Sequence, residues 1–511
     1  MPTGKVYLVG AGPGDPGLLT LKGKRCLEQA DVIIYDYLVD VRLLDYVRPE
    51  ATLLYAGKRG GGRAVPQQTI HALMREHAAN GKVVTRLKGG DPLLFGRGGE
   101  ETEELVAANI PFEIVPGVSS ATAVPAYAGI PLTHRDHASA VAIVSGHKEV
   151  WETAPHLNWA TLAGVGGTLV FLMGTRQLQN NMQRLMEFGL PAETPIALIR
   201  WGTKADQEVL TGTVGSIAER AAARDFEPPA VIVVGDVVRL RDRLHWFESQ
   251  PLFGKRIVIT RPRTQASRFA DLLEQHGAEV FRFPLIETVA LDSSAALDAA
   301  LDDLARYDWL VFTSVNGVRY FFERLQARQR DIRSLGDLRI AAIGQETARS
   351  IQARHLRVDA MPREYRAEAL IQVLKAEKAQ RILLPRAAEA RAILPQELRA
   401  FGAQVDEIAI YRTIRPRNRD ETLRDMLRAG RVDLLTFTSS STVRNFMECL
   451  SGEESTVLLG QARIGCIGPI TAATAREYGL TVAVQPSAYT IPAFVEAILA
   501  YFRTENNTMT G

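Results

Sequence analysis

The sequence predicts an α/β protein made of two successive two-lobed units, the second of them duplicated. Three observations predict it. Short apolar runs rich in β-branched residues alternate with stretches of helical apolar spacing along the chain, as strand–helix units of parallel sheets do. That alternation is interrupted at His245-Trp246-Phe247-Glu248-Ser249-Gln250-Pro251-Leu252-Phe253-Gly254, where a proline and a closing glycine mark a boundary. Beyond it, Asp308-Trp309-Leu310-Val311-Phe312-Thr313-Ser314 recurs as Asp433-Leu434-Leu435-Thr436-Phe437-Thr438-Ser439, an offset of 125 residues (308 to 433).

At roughly 150 residues per domain, the 511 residues suggest about three compact units. Hydrophobic residues at 46%, charged ones at 23% and a formal charge of +2 are ordinary for a globular protein and give no electrostatic case for nucleic acid or membrane. Cys26, Cys449 and Cys466 match no metal or redox spacing and read as reduced, buried small hydrophobes. Val6 to Val9 is a strand-length run stopped by Gly10 rather than a secretory signal, and no apolar run is long enough to span a bilayer, so the expected location is cytoplasmic.

In chain order, Lys5 to Val9 is a strand feeding Gly10-Ala11-Gly12-Pro13-Gly14-Asp15-Pro16-Gly17, and Leu18 to Ala30 has helical spacing. A phosphate cradle needs free backbone N–H groups and no nearby anion. Pro13 lacks an N–H, and Asp15 stands where the third glycine of a dinucleotide fingerprint belongs. The loop suits a ligand without phosphate, such as an adenosine carrying a sulfonium. Asp36, placed where a ribose-binding acid would fall, keeps a dinucleotide-dependent oxidoreductase open as an alternative.

Asp31 to Asp36 is a second strand, and Ala51 to Ala56 a third ending in Gly57-Lys58-Arg59-Gly60-Gly61-Gly62. Val83 to Leu87 is a fourth. Its turn, Lys88-Gly89-Gly90-Asp91-Pro92, drops two side chains where a flat ligand could lie against the backbone. Phe112 to Val115 leads into Pro116-Gly117-Val118-Ser119-Ser120-Ala121. Asp36 or Lys58 alone reads as a solvated strand end; four strand-end loops converging on one crevice read as a binding site. Strands near Ala140 to Ser145, Thr168 to Met173, Ile196 to Arg200 and Val231 to Gly235 form a second lobe. Met173 ends one of them, as core filler or as a soft surface for adenine. His134, His137 and His147 lack metal-ligand spacing, and no metal is expected.

In the second half Arg256 and Arg381, Arg261 and Arg386, and Gly277 and Gly402 keep the offset. Ile343-Gly344 and Thr347-Ala348 recur as Ile467-Gly468 and Thr471-Ala472. Each lobe thus supplies a Thr-Ser turn and an Ile-Gly-x-x-Thr-Ala turn. Any one hydroxyl reads as an N-cap; the duplicated set around a cleft suits carboxylates.

Val9-Gly10-Ala11-Gly12-Pro13-Gly14-Asp15, Tyr35-Asp36, Gly57-Lys58-Arg59, Arg86 to Pro92, Phe95-Gly96-Arg97-Gly98 and Pro131-Leu132-Thr133-His134-Arg135 resemble uroporphyrinogen-III C-methyltransferase, over about residues 4–248. The resemblance implies transfer of methyl groups from S-adenosyl-L-methionine to two pyrrole carbons of uroporphyrinogen III, giving precorrin-2 on the way to sirohaem or cobalamin. Pro13, Gly89, Gly90, Asp91, Leu94, Ser119, Ser120, Met173 and Gly202 match cofactor-contacting positions. Asp36 and Lys58 match the proposed base and acid, Lys58 alternatively anchoring substrate carboxylates. Ser119-Ser120 departs from the family's usual threonine followed by alanine or serine. The family is typically dimeric, which implies a homodimer through this half.

Lys255-Arg256-Ile257-Val258-Ile259-Thr260-Arg261-Pro262, the paired hydroxyl turns and Ile410-Tyr411-Arg412-Thr413 resemble uroporphyrinogen-III synthase, over about residues 254–503. The implied reaction cyclises hydroxymethylbilane with inversion of its last pyrrole ring and loss of water, without a cofactor. Tyr411 matches a tyrosine proposed to help the hydroxyl leave. Ser314, Thr347, Ser439 and Thr471 match cleft positions, and Arg261 and Arg386 are expected to hold substrate. A methyltransferase carrying a non-catalytic tetrapyrrole-binding module is the alternative.

The expected division is a methyltransferase over 1–248 (lobes about 1–116 and 117–245), a linker over 249–253, a synthase over 254–503 and a disordered tail over 504–511. Within the synthase, one lobe combines 254–286 with 413–503 and the other spans 287–412. Linear and cyclic tetrapyrroles are the expected partners, with no nucleic acid and no membrane.

Overall fold

The computed structural model describes residues 4–57, 65–147, 157–260, 263–283, 287–291, 295–364, 366–414, 420–450, 459 and 462–509. Among the described residues twenty strands, numbered along the chain, form four five-stranded sheets.

The first sheet holds β1 (Lys5–Gly10), β2 (Val32–Tyr35), β3 (Thr52–Tyr55), β4 (Val83–Lys88) and β5 (Phe112–Val115) in the order β3-β2-β4-β1-β5. Every pairing is parallel. Helices cover both faces of such a sheet, so its strands are apolar without alternation. Val6 and Leu8 enter one core and Val9 the opposite one.

The second sheet, order β6-β7-β10-β8-β9, holds β6 (Val141–Ser145), β7 (Thr168–Leu172), β8 (Pro195–Arg200), β9 (Glu208–Thr213) and β10 (Ala230–Val234). Only β6 and β7 pair parallel; the other contacts are antiparallel. Strand β9 was not expected, because Glu208-Val209-Leu210-Thr211-Gly212-Thr213 sits at a sheet edge and lacks the continuous apolar run of a central strand.

In the second half, β11 (Arg256–Ile259) and β12 (Glu279–Arg282) join β18 (Leu434–Phe437), β19 (Arg463–Cys466) and β20 (Val482–Val484) in a parallel sheet ordered β12-β11-β18-β19-β20. Between them in sequence, β13 (Glu287–Ala290), β14 (Trp309–Phe312), β15 (Arg339–Ala342), β16 (Arg381–Ala387) and β17 (Gln404–Ile414) form the fourth, ordered β13-β17-β16-β14-β15. The chain leaves one sheet after β12 and returns to it at β18.

Four expectations need correction. Four sheets, each with its own pair of cores, exceed the three units suggested by length. The first helix begins at Leu21 rather than Leu18, because the Thr20 hydroxyl accepts the Gly23 N–H at 3.0 Å and starts it there. The last helix runs Ile491–Met509, through most of the stretch expected to be disordered, and Glu505 within it pairs with Arg463. Of the cysteines, Cys26 and Cys466 are buried but Cys449 is only half-buried. Within the 249–253 linker, Leu252 is fully buried in the core around β11, and Phe253 meets Phe247 edge-on.

Candidate functional sites

The carboxyl ends of the first sheet open onto a cleft of about 880 Å³, closed on the far side by the second sheet. Loops after all five strands reach it: Gly12 and Pro13 after β1, Asp36 to Leu38 after β2, Ala56 and Gly57 after β3, Gly89 and Gly90 after β4, and Ser120 after β5. Leu172, Met173, Trp201 and Gly202 supply the opposite wall. Of the expected cofactor contacts, Pro13, Gly89, Gly90, Leu94, Ser120, Met173 and Gly202 line the cleft, and so does Asp36.

Asp91 and Ser119 do not line it. The Asp91 carboxylate accepts the N–H groups of Leu93 (2.8 Å), Leu94 (3.1 Å) and Gly117 (3.1 Å), tying the β4 turn to the loop after β5. Ser119 caps the following helix, accepting the Ala121 N–H at 3.2 Å. Asp15 likewise works within the protein: its carboxylate accepts from Gly17 N–H at 2.7 Å and Tyr127 Oη at 2.6 Å. An anion therefore already occupies the turn where a dinucleotide's phosphates would sit. Lys58 falls outside the described residues.

The two glycines of the β4 turn serve different ends. A Cβ on Gly89 would come within 2.7 Å of Leu38 Cβ, so packing excludes it. Gly90 has space, its nearest neighbour being Ser120 N at 3.7 Å, but sits at φ +69°, where a side chain is strained. Phe95, Met173 and Trp201, all lining residues, hold positive φ without being glycine; such strain clusters at ligand sites. Met173 is half exposed and faces the cleft, so it is not core filler.

From the cleft floor inward runs a row of charges whose pairing was absent from the sequence expectations. Arg86 reaches Asp36 Oδ2 and Glu101 Oε1, both at 3.3 Å, and Lys88 Nζ reaches Glu101 Oε1 at 2.9 Å. Gln67 donates to the same oxygen at 2.9 Å. Burial opposes ionisation of Glu101, but Arg86 and Lys88 outweigh it and hold the carboxyl below its ordinary range. Burial, then the Arg86 charge, pushes Lys88 down, against the pull of Glu101. Asp36 also accepts the Leu38 N–H at 3.1 Å, so its carboxylate is fixed at the cleft edge from two sides. Tyr37 and Trp201, packed edge-on at 5.9 Å, and Lys88 and Lys204 also line the cleft and were not singled out; Lys88 stood in the quoted turn and Trp201 adjoins Gly202, whereas Tyr37 and Lys204 carried no sequence signal.

In the second half, Tyr411 Oη lies 2.9 Å from Ser314 Oγ, and its ring stacks on Tyr320 at 5.3 Å. Burial raises the Tyr411 pKa, so the phenol keeps its proton at neutral pH. Ser314 caps the helix Val315–Ala327, accepting Gly317 N–H at 2.9 Å. Arg386 is buried, donating to Glu407 at 3.2 Å and to the Arg391 carbonyl at 2.7 Å. Thr347 belongs to this same lobe, on the helix after β15. Ser439 caps the helix after β18 and Thr471 lies on the helix after β19, in the other lobe. Arg261 falls outside the described residues. Among the described residues no group of three His, Cys, Asp or Glu could hold a metal, and no helix is long and apolar enough to cross a membrane.

The fold and cleft define a two-lobed α/β protein that takes a small ligand at the carboxyl ends of a parallel sheet, joined to a second two-lobed α/β unit. Residues 5–218 match the family model of tetrapyrrole (corrin/porphyrin) methylases, and residues 267–496 that of uroporphyrinogen-III synthase HemD. A "porphyrin biosynthesis protein HemD" of Ruminiclostridium josui is 36% identical over 98% of both chains. A "uroporphyrinogen-III C-methyltransferase" of Bacillus subtilis is 38% identical over 71% of this chain and 74% of its own. An "S-adenosyl-L-methionine-dependent uroporphyrinogen III methyltransferase" of Methanosarcina barkeri is 51% identical over 47% of this chain and 94% of its own. The chain belongs to the tetrapyrrole methylases through its first half and to the uroporphyrinogen-III synthases through its second.

Proposed function

We propose that the chain is a bifunctional enzyme of tetrapyrrole biosynthesis, which cyclises hydroxymethylbilane to uroporphyrinogen III and methylates that product twice to precorrin-2. The observation that carries the methylation is the cleft: loops from five strands converge on it, and Asp15 fills the place of a phosphate. That suits S-adenosyl-L-methionine and argues against the dinucleotide alternative. The sulfonium, when bound, supplies an activated methyl group.

The protein's part is then to hold an electron-rich pyrrole carbon in line with that methyl and to remove a proton afterwards. Asp36, at the cleft edge and oriented by Arg86, takes the proton. Lys58 acts as an acid or as an anchor for substrate carboxylates. Pro13, Gly89, Gly90, Leu94, Ser120, Met173 and Gly202 contact the cofactor, with Asp91 and Ser119 shaping the loops they stand on.

In the second half, the protonated Tyr411 phenol, held by Ser314, donates to the departing hydroxyl. Arg261, Arg386, Thr347, Ser439 and Thr471 receive the substrate carboxylates. The two activities divide near residues 249–253, and the enzyme works in the cytoplasm as a homodimer formed through its first half.

The test is turnover by the full chain. Hydroxymethylbilane alone must give the inverted-ring isomer, and with labelled S-adenosyl-L-methionine the label must appear in two methyl groups of the product. A folded chain that methylates supplied uroporphyrinogen III but yields only the uninverted isomer from hydroxymethylbilane would leave the second half a binding module.

A further inference from the structure

Two loops that wall the first-half cleft are tied to the second half, the one after β1 through Arg42 and the one after β8 directly. Arg42 grips Asp40 through Nε at 2.9 Å and a terminal nitrogen at 3.0 Å. The same terminal nitrogen lies 3.5 Å from the Gly14 carbonyl and 3.2 Å from Glu279 Oε1, on β12 of the second half. Glu279 Oε2 accepts Arg256 Nε at 2.8 Å, and Arg256 reaches back to Asp206, just beyond Gly202. Asp40 also holds Lys204 at 3.3 Å, and Lys204 lines the cleft itself.

Glu279 thus joins the cation that steadies the Gly14 loop to the cation that steadies the 201–207 loop. Its side chain is only 7% exposed, and those of Asp40 and Arg42 are 5% and 10% exposed. Burial opposes ionisation of Asp40, yet Arg42 and Lys204 hold its carboxyl down to about 2. Collecting so many charges in a buried seam gains little stability, because desolvation offsets the attraction. What such a seam does supply is fixed geometry.

We propose that Glu279, donated by the synthase half, is a positioning residue for the methyltransferase half, clamping the two loops in the spacing that receives S-adenosyl-L-methionine. This rests on the functional proposal that the cofactor binds in that cleft. An amide at 279 cannot balance two guanidinium groups, so the loops lose their common anchor. The binding-competent fraction falls, and the apparent dissociation constant rises by its reciprocal.

The experiment is Glu279→Gln in the full chain, read by calorimetric titration of S-adenosyl-L-methionine and by both turnovers. The expected result is an increase of about tenfold in Kd and in KM for the cofactor. Methylation kcat should stay within about threefold and cyclisation within about twofold, a split that general unfolding would not produce. Glu279→Asp, which keeps the charge, should recover much of the lost affinity. A folded Glu279→Gln chain with wild-type affinity would overturn the proposal. Should that variant fail to fold, Asp206→Asn cuts the clamp at a half-exposed carboxylate and must raise KM by at least about threefold, an unchanged KM again overturning it. Failure of the wild-type chain to bind the cofactor would instead bring down the functional proposal beneath it.

Discussion

Glu101→Gln removes the anion shared by two buried cations, and its effect can be sized from the geometry. Glu101 is fully buried, with Arg86 at 3.3 Å and Lys88 at 2.9 Å on one oxygen. Deleting one partner of a buried pair costs about 3–5 kcal/mol, because the remaining charge is stranded. Asp36 still offsets part of the Arg86 charge from 3.3 Å, so the lower end, about 3 kcal/mol, is expected. Against a domain stability of about 5–15 kcal/mol this is severe. With a urea slope of about 1–3 kcal/mol per molar, the unfolding midpoint of the first half should fall by roughly 1–3 M.

Circular dichroism across a urea titration measures this, and adding Lys88→Met gives the control. If the loss comes from the stranded ammonium, the double variant should regain at least about 1.5 kcal/mol relative to Glu101→Gln. The carboxyl is held below its ordinary range, so its contribution is complete above the unfolded pKa and is lost as pH falls through the folded one. Glu101→Gln should therefore flatten the acid limb of the stability profile. Strictly additive losses in the two variants would refute the stranded-charge argument.

Asp36→Asn should cut methylation by about two powers of ten while leaving cofactor affinity nearly unchanged, with a modest fall in stability because Arg86 loses a partner; steady-state kinetics with normal turnover would remove Asp36 from the mechanism. Tyr411→Phe should slow formation of the inverted isomer by about tenfold or more without touching methylation, and isomer-resolved chromatography showing no change would reduce Tyr411 to its stack on Tyr320.

The strand-to-loop grammar of the first half was legible because β4 opens on the β-branched run Val83-Val84-Thr85 and is followed directly by two glycines, and parallel strands put their loops on one edge. The motif could not say which of its residues face a ligand. Asp91 and Ser119 match cofactor positions, yet their oxygens accept backbone N–H groups, a use that depends on where Gly117 and Ala121 lie in space. Lys88 stood in the quoted turn, but its burial comes from Glu101 on the helix Gly98–Ala107, a partner no local pattern announces. Arg42 and Glu279 belong to no local pattern, being far apart in sequence and joined only when the halves meet. The extension of the final helix past Arg503 escaped notice because Thr504 to Gly511 is polar apart from Met509.

The interrupted sheet of the second half sets an order on the making of the protein. Strand β11 has one neighbour in β12 but takes its other, β18, only at Leu434. A ribosome adding about 5–20 residues per second needs on the order of ten to thirty seconds to travel from the end of β12 to that strand. Throughout that interval the edge of β11 is open to any passing strand. The opposite side of the same pair need not wait: Glu279 and Arg256 can dock on Arg42 and Asp206 of the finished first half. The nascent N-terminal half would then act as a template that holds two orphan strands in place until their sheet arrives.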